Sequence, residues 1–256
     1  MKKLLFFLLL FPSLVFGQSV YTYGGKVLTY SGDVLTVTSG TPAVLEDGST
    51  VAWYIADNLT TITKDGADLV SRWNDYLGSG HDLIQATGTN QPLWSSDGIL
   101  FDGVDNFMKT AAFTYVQPEM IYMVFKQVTW TLYDRIFDGN IVSTGQLAQR
   151  ETTPNLLYFA GGGGGDCEDP GNLAVNTWGI IRMLFNGAST KFIINETTPI
   201  TCFPGLSNMG GFTLGARGDD VSWSNIEVKE IILRNVDDTD ANETDIYNYL
   251  KNKYGL

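Results

Sequence analysis

Polar and apolar positions alternate with a period of two along most of the chain. The segments KVLTY at 26–30 and DVLTVT at 33–38 predict a hairpin, and TVAWYI at 50–55 predicts a further strand. From residue 98 to residue 234, short alternating segments recur between turns rich in Gly, Asn and Asp. This spacing is typical of an all-β, two-sheet antiparallel sandwich, and the pattern of a doubly wound sheet is missing.

Helical periodicity is convincing only at the C-terminus, over residues 239–254. Thr239 or Asp240 can serve as the N-cap, Glu243 is placed to complete a capping box from Asp240, and Gly255 supplies the stop. The positions that share one face are Ile246, Tyr249, Leu250 and Tyr254. Such a face predicts one C-terminal α-helix that packs on the sandwich, and a partner-binding role is the weaker interpretation.

Residues 1–17 have the pattern of a secretion signal. Lys2 and Lys3 precede an apolar run over 4–16, and the small residue Gly17 ends it. The run is shorter than the roughly 20 residues that span a bilayer, and Pro12 interrupts it, so a retained anchor helix is the weaker alternative. We therefore expect export to the periplasm, the cell surface or the medium. The mature chain is then one domain over 18–256, in which 18–48 form N-terminal strands.

The composition limits the partners, because the formal net charge is −12 at pH 7. A surface of that sign repels nucleic-acid phosphates and anionic lipids, so nucleic acid is not an expected partner. The same surface suits divalent cations and neutral polysaccharides. No second apolar stretch approaches membrane length, so we expect no membrane span in the mature chain and an extracellular glycan or cell-surface component as the partner.

An ordered series of motifs over residues 50–256 resembles a known group of domains. The stretch ILFDGVDNFM is similar to the FDG-x-D hairpin of laminin-G-like domains, in the concanavalin A-like lectin and glucanase superfamily. It follows VSRWNDYLGSGHDLIQATGTNQP and precedes NTWGIIRMLFNG, KFIINE, GGFTLGARG, IEVKEIILRN and YLKNKYG. The resemblance implies a jelly roll of two packed antiparallel sheets. It does not imply one activity, because the fold carries lectins, glycan-binding modules, glycanases and packing domains.

The FDGVD turn allows two interpretations. Gly103 permits a backbone conformation that a Cβ would resist, and Asp102 and Asp105 can bind turn backbone groups, so a purely structural corner explains every residue. Alternatively, Asp102 and Asp105 could help to hold a structural calcium ion. Calcium takes six to eight oxygen ligands, so other loops would have to contribute. The structural interpretation is the stronger one.

Catalytic residues are not evident. Active glycanases of the superfamily carry a Glu-x-Asp-x-Glu array on one face of a strand, and IEVKEIIL at 226–233 lacks it. By strict alternation Glu230 shares its face with Val228 and Ile232, so we expect a buried carboxylate that ties down a neighbouring loop. His81, the single histidine, is a weak candidate for the proton transfer of a lyase. We expect no enzymatic activity.

Two loops offer the chemical groups that bind sugars, namely carboxylates beside an aromatic ring. The candidate ligand-binding residues are Asp166, Glu168 and Asp169 in the first loop, and Asp219, Asp220 and Trp223 in the second. The alternative is that Trp223 belongs to the core and the acids are solvated. Export would also permit a disulfide between Cys167 and Cys202, which would tie the glycine-rich loop to a neighbouring strand end.

Three hypotheses for function follow from these residues. The first is an exported, non-catalytic, lectin-like or adhesive module that binds a glycan or a cell surface, with structural calcium as an option. The second is a glycanase or lyase with an atypical site around Glu230. The third is a purely structural component of an envelope or a virion surface.

Overall fold

The computed structural model describes residues 19–23, 26–31, 34–169 and 171–256, so the predicted leader over 1–17 lies outside the described residues. Strands β1 (Ser19–Tyr23), β2 (Lys26–Ser31) and β3 (Val34–Ser39) form an antiparallel sheet with β2 in the middle. The predicted hairpin is therefore present as β2 and β3. This sheet belongs to a compact unit that ends at Pro42, and Ala43–Leu256 form another. The single domain over 18–256 stays a prediction from the sequence.

The second unit consists of many short strands and one α-helix. They are β4 (Thr50–Ile55), β5 (Ile62–Lys64), β6 (Val70–Trp73), β7 (Leu83–Ile84), β8 (Leu93–Ser95), β9 (Gly98–Asp102), β10 (Met108–Lys109), β11 (Glu119–Gln127), β12 (Arg135–Asp138), β13 (Gln146–Gln149), β14 (Leu156–Phe159), β15 (Cys167–Asp169), β16 (Trp178–Phe185), β17 (Lys191–Ile194), β18 (Ile200–Thr201), β19 (Thr213–Leu214), β20 (Asn225–Arg234) and α1 (Asp240–Tyr254). In the part of the chain that the structure describes, no helix combines the length and the apolar character needed to cross a membrane.

Two antiparallel sheets make up this unit, as the sequence predicted. One has nine strands in the order β15-β14-β13-β12-β19-β10-β7-β6-β5, and the other has eight, in the order β18-β17-β16-β11-β20-β9-β8 with β4 also paired to β20. The core between the sheets is buried and combines aliphatic with aromatic side chains. Its largest members are Trp73, Tyr54, Tyr115, Tyr158, Phe101, Phe125, Phe137, Phe185, Phe192 and Phe212. Burial of this apolar surface is the main force that holds the sheets together.

A β-bulge in β20 corrects one prediction from the sequence. Strand β11 pairs Val124 with Glu230 and Phe125 with Val228, so Lys229 is an extra residue in β20. The bulge reverses the alternation, and Val228 lies in the core between the sheets while Glu230 turns to the helix side, together with Ile232. Glu230 therefore does not share a face with Val228.

Helix α1 packs on the eight-stranded sheet through Ile246, Tyr247 and Leu250. Its N-cap is Thr239, whose hydroxyl oxygen accepts from the backbone N–H of Asn242 at 3.3 Å, and Gly255 ends it in the left-handed conformation. The predicted capping box from Asp240 does not form. The Glu243 carboxylate instead pairs with two cations of the sheet, Arg182 at 3.0 Å and Lys191 at 2.6 Å.

Candidate functional site

The FDGVD turn is closed by its own polar groups. Asp102 Oδ1 accepts from the backbone N–H of Val104 at 2.8 Å, and Asn106 Oδ1 accepts from the N–H of Asp102 at 3.2 Å. Gly103 has φ +75°, and a Cβ there would lie 2.9 Å from Asn225. Within the described ranges, no group of three or more His, Cys, Asp or Glu side chains is placed to hold a metal ion. Asp102 and Asp105 are thus seen here as parts of a turn.

In the first predicted loop, the candidate acids already have protein partners. Asp166 pairs with Arg150 at 3.4 Å, and Glu168 accepts from Asn155 Nδ2 at 2.6 Å. Asp169 is buried, and its Oδ1 accepts from the N–H groups of Gly171 and Asn172 at 3.0 and 2.8 Å. Asp169 therefore shapes the loop, while Asp166 and Glu168 stay near the surface.

The glycine-rich part of this loop is held by a disulfide between Cys167 and Cys202, whose Cα atoms are 6.2 Å apart. The loop lies against residues 203–206: Leu206 N–H donates to Gly161 O at 2.9 Å, and a Cβ on Gly164 would collide with the backbone of Pro204 and Gly205. Close backbone contact thus requires these glycines, and the loop packs against residues 203–206 rather than serving as a linker.

The second predicted loop is also internally paired. Asp219 forms a bidentate pair with Arg217 at 2.6 and 2.8 Å, and Asp220 pairs with Lys109 at 3.3 Å. Trp223 is half-buried, and its buried Nε1–H has no acceptor among the described residues. Trp223 lies outside the core between the sheets, so the core alternative for it is not supported.

Strand β12 lies between the two loops and brings together three arginines that the sequence did not suggest. Arg135 N–H donates to Ser222 O of the second loop at 2.9 Å, which places Arg217 on one side. On the other side, Arg150 follows β13 and pairs with Asp166 of the first loop. We call Arg135, Arg150 and Arg217 the arginine cluster. No sequence signal could have found it, because its members come from three separated segments.

Tyr133 is an exposed aromatic ring beside the arginine cluster. It is 53% exposed, and its backbone has φ +77°, a left-handed conformation that bulky residues rarely adopt. The guanidinium of Arg150 lies 4.9 Å from the ring centroid, and Arg135 Nη1 donates to the Tyr133 carbonyl oxygen. Strained residues of this kind concentrate at binding and catalytic sites.

Arg135 itself is only 7% exposed. Its Nε donates to Gln146 Oε1 at 2.8 Å, and its register opposite Ala148 turns it away from the core. Within the described residues, no carboxylate lies within 4.0 Å of this guanidinium. Burial lowers the pKa of Arg135, and the positive charges of Arg217 and Arg150 lower it further, against the opposing charge of Asp138.

Asp138 organises the loops around the cluster. Its buried carboxylate accepts from the N–H groups of Gly139, Ser143 and Thr144 at 2.8, 2.9 and 3.2 Å, and from Gly218 at 3.1 Å. Burial raises its pKa, although these four hydrogen bonds act in the opposite direction. One carboxylate thus fixes loop 139–144 and the turn that carries Arg217.

Glu230 is fully buried, as expected, but it holds the C-terminal helix rather than a loop. Its Oε1 accepts from Trp53 Nε1 at 2.8 Å and from Tyr249 OH at 3.0 Å, and its Oε2 accepts from Lys253 Nζ and Tyr254 OH at 2.7 and 2.6 Å. These four donors enclose the carboxylate. His81 also has a packing role, because its ring stacks on Phe113 at 3.9 Å.

The comparisons with known proteins bear on the fold. No family model matches the sequence, and no curated protein does either. Among solved structures, domain 4 of AbnA, a GH43 extracellular arabinanase from Geobacillus stearothermophilus solved with arabinotriose, superimposes with a TM-score of 0.57 at 14% identity, over 78% of this chain and 98% of that domain. The fold is a two-sheet antiparallel jelly roll, the architecture that the resemblance to concanavalin A-like domains implied.

Two further structures share the jelly roll. Trypanosoma rangeli sialidase matches with a TM-score of 0.57 at 12% identity, over 94% of this chain and 46% of the sialidase. An arabinofuranosidase complexed with arabinofuranosyl-alpha-1,2-xylobiose matches with a TM-score of 0.51 at 14% identity, over 71% of this chain and 50% of that one. The chain therefore spans about half the length of each of these two proteins. Sequence identities this low show a shared fold and nothing more.

Proposed function

We propose that the chain is an exported, non-catalytic module that binds an extracellular glycan at the Tyr133 platform. The platform consists of Tyr133, Arg135, Arg150 and Gln146, with the two predicted loops on either side. The leader over 1–17 would deliver it, and the partner would be a polysaccharide or a glycan of a cell surface.

The exposed ring of Tyr133 carries this proposal. Sugar rings present flat C–H faces that pack on aromatic rings, and their hydroxyl groups need planar donors and acceptors at fixed positions. Arg150 covers one face of Tyr133. The exposed remainder of the ring, with amide and guanidinium groups beside it, has the required chemistry. The rigid first loop and the loops fixed by Asp138 give a surface that needs little ordering on binding.

The carbohydrate-active neighbours add support. The arabinanase domain, matched over nearly its whole length, was solved with arabinotriose, and a sialidase and an arabinofuranosidase share the fold. The non-catalytic part of the proposal rests on Glu230. Most glycosidases use two carboxyl groups roughly 5–9.5 Å apart across an open cleft, whereas Glu230, the acid of the alternative enzymatic hypothesis, is enclosed by four protein donors.

A glycan array with a matched pair of variants tests the proposal. We expect the wild-type protein to bind a subset of glycans and Tyr133→Ala to lose at least tenfold in affinity. Tyr76→Ala is the control, because Tyr76 is 50% exposed but lies elsewhere, against Trp53. A chelator should leave binding unchanged if Asp102 and Asp105 only close a turn. Equal binding by Tyr133→Ala and the wild type would overturn the proposal, and no binding to any glycan would favour a purely structural role.

A further inference from the structure

Arg135 is a buried cation without an acidic partner in the described part of the chain. Its hydrogen-bond acceptors are neutral groups, namely the Gln146 side chain and the Tyr133 carbonyl oxygen. An ionised group removed from water is costly unless an opposite charge or a set of hydrogen bonds compensates it. Structural arginines of this protein follow that rule: the fully buried Arg234 pairs with Asp238 at 2.8 Å and Asp47 at 3.0 Å. Arg135 departs from it.

The acids near Arg135 are committed to other groups. Both oxygens of Asp138 accept from backbone N–H groups, and Asp166 and Asp219 pair with Arg150 and Arg217. Asp134 is half-buried, and burial raises its pKa to about 6 against the opposing effect of Arg135. Arg150 and Arg217 therefore have direct ion pairs, whereas Arg135 has no carboxylate within 4.0 Å among the described residues and feels Asp138 and Asp134 only at longer range.

Around the platform, two buried N–H donors lack a hydrogen-bond acceptor within the described ranges. Arg150 Nε and Trp223 Nε1 are buried and have no acceptor among the described residues. Together with the guanidinium of Arg135, they form a set of N–H groups on both sides of β12. A ligand group that supplies several acceptor oxygens and a negative charge would complete this set.

We infer that the glycan is acidic, and that its carboxylate or sulfate group lies against Arg135, between Arg150 and Arg217. This inference rests on the proposed function, because it places the charged group on the same platform as the sugar ring. The planar guanidinium group can donate two parallel hydrogen bonds to a carboxylate, and it can also donate to the oxygen atoms of a sulfate. Since the whole chain carries a net charge of −12, attraction of an anion requires a local cluster of this kind.

Matched oligosaccharides that differ only in charge provide the test. The pairs are oligogalacturonate and its methyl ester, sulfated and desulfated galactan, and sialylated and desialylated lactosamine. Calorimetric titration of the wild type should give at least tenfold tighter binding of the charged member of one pair. Binding of the acids, the sulfates or both identifies which anion the cluster accepts.

Arg135→Gln should reduce that preference to near one, and Arg217→Gln, at a half-buried position, should reduce it in part. Arg72→Gln is the control, because Arg72 is an exposed arginine paired with Asp82 and remote from the platform in sequence. Thermal unfolding separates a ligand-binding role from a structural one. Removal of an uncompensated buried cation should leave the melting temperature of Arg135→Gln unchanged or higher, whereas loss of a structural arginine would lower it.

The outcomes separate this inference from the proposed function. If the wild type binds glycans through Tyr133 but never prefers the charged member of a pair, the inference fails and the proposed function stands. If Arg135→Gln keeps the full preference while remaining folded, the inference also fails. If binding of every glycan is independent of Tyr133, both fail.

Discussion

Lys253 of helix α1 donates to Glu230 of strand β20 over 2.7 Å, and the accepting carboxylate is fully buried. The hydroxyl groups of Tyr249 and Tyr254 donate to the same carboxylate from the same helix. Burial, followed by the charge of Glu230, raises the pKa of both tyrosines, so they remain donors at any physiological pH. One carboxylate on a central strand thus fixes the last turns of the helix.

Loss of the Lys253 ammonium group should destabilise the protein strongly. Lys253→Met leaves Glu230 buried with only neutral donors, and we expect a loss of unfolding free energy on the order of 3 kcal/mol. Lys251→Met is the matched control, two residues away on the same helix. Lys251 pairs with the exposed Glu196, and because water screens such a pair its loss should cost far less than the loss of Lys253. Urea unfolding of both variants measures the difference. Equal losses would show that Glu230 does not anchor the helix.

The fold could be predicted from the sequence because its strands follow a simple alternation. The strand at Thr50–Ile55 and the helix at Asp240–Tyr254 lie where the pattern indicated. The face predicted for Glu230 was wrong because one bulged residue, Lys229, reverses the alternation. The residue types of the strand do not reveal the bulge. The capping box from Asp240 was wrong because ion pairs to Arg182 and Lys191 compete successfully for Glu243.

The candidate site could be predicted only in part. The loops around Asp166 and Asp219 do flank one region, but their acids are paired with Arg150 and Arg217. The group at the centre, Arg135, lies on a short strand between them. The role that we propose for it rests on the absence of an acidic partner among the described residues, which is a property of the folded chain that no single-sequence pattern encodes.

Gly103 should be essential to the FDGVD turn. In Gly103→Ala the new Cβ would meet the Asn225 backbone and side chain at 2.9 Å, in a backbone conformation that disfavours any Cβ. We expect a loss of about 1–3 kcal/mol of unfolding free energy. Gly66→Ala is the control, because nothing lies within 4 Å of its Cβ position. Chemical denaturation checks both, and similar stabilities would contradict the tight corner.

Asp138 should control the order of the platform. Asp138→Ala would leave four backbone N–H groups of two loops without an acceptor. We expect faster amide hydrogen exchange at Ser143, Thr144 and Gly218 and weaker glycan binding, since the loops must then be ordered on association. Asp97→Asn, at an exposed position, serves as the control. Unchanged exchange at Gly218 would show that Asp138 does not hold the second loop.

The disulfide should contribute measurably to stability. It closes a segment of 35 residues, which corresponds to roughly 3–4 kcal/mol from restriction of the unfolded chain. We expect a loss of that order for the double variant Cys167→Ser, Cys202→Ser in urea unfolding. Mass mapping of the exported protein without reductant should find neither cysteine alkylated. Alkylation of both would show that the bond does not form.

Glu119 should make stability depend on pH. Its carboxyl group is fully buried, Oε1 accepts from Met209 N–H at 2.6 Å, and Oε2 has no partner among the described residues. Burial raises its pKa from 4.5 to about 8. The folded state therefore holds this proton more tightly than the unfolded state. The corresponding stability is fully present below pH 4.5 and is lost as the pH rises to about 8.

Glu119→Gln removes this titration while keeping the shape of the protonated acid. We expect the variant to be more stable than the wild type at pH 9 by a few kcal/mol, and the difference to vanish near pH 5. Urea unfolding of both proteins at pH 5, 6.5, 8 and 9 measures it, and the effects of other titrating groups cancel in the comparison. A stability difference that stays constant over this range would mean that Glu119 ionises normally, and hence that its surroundings are solvated rather than part of the core.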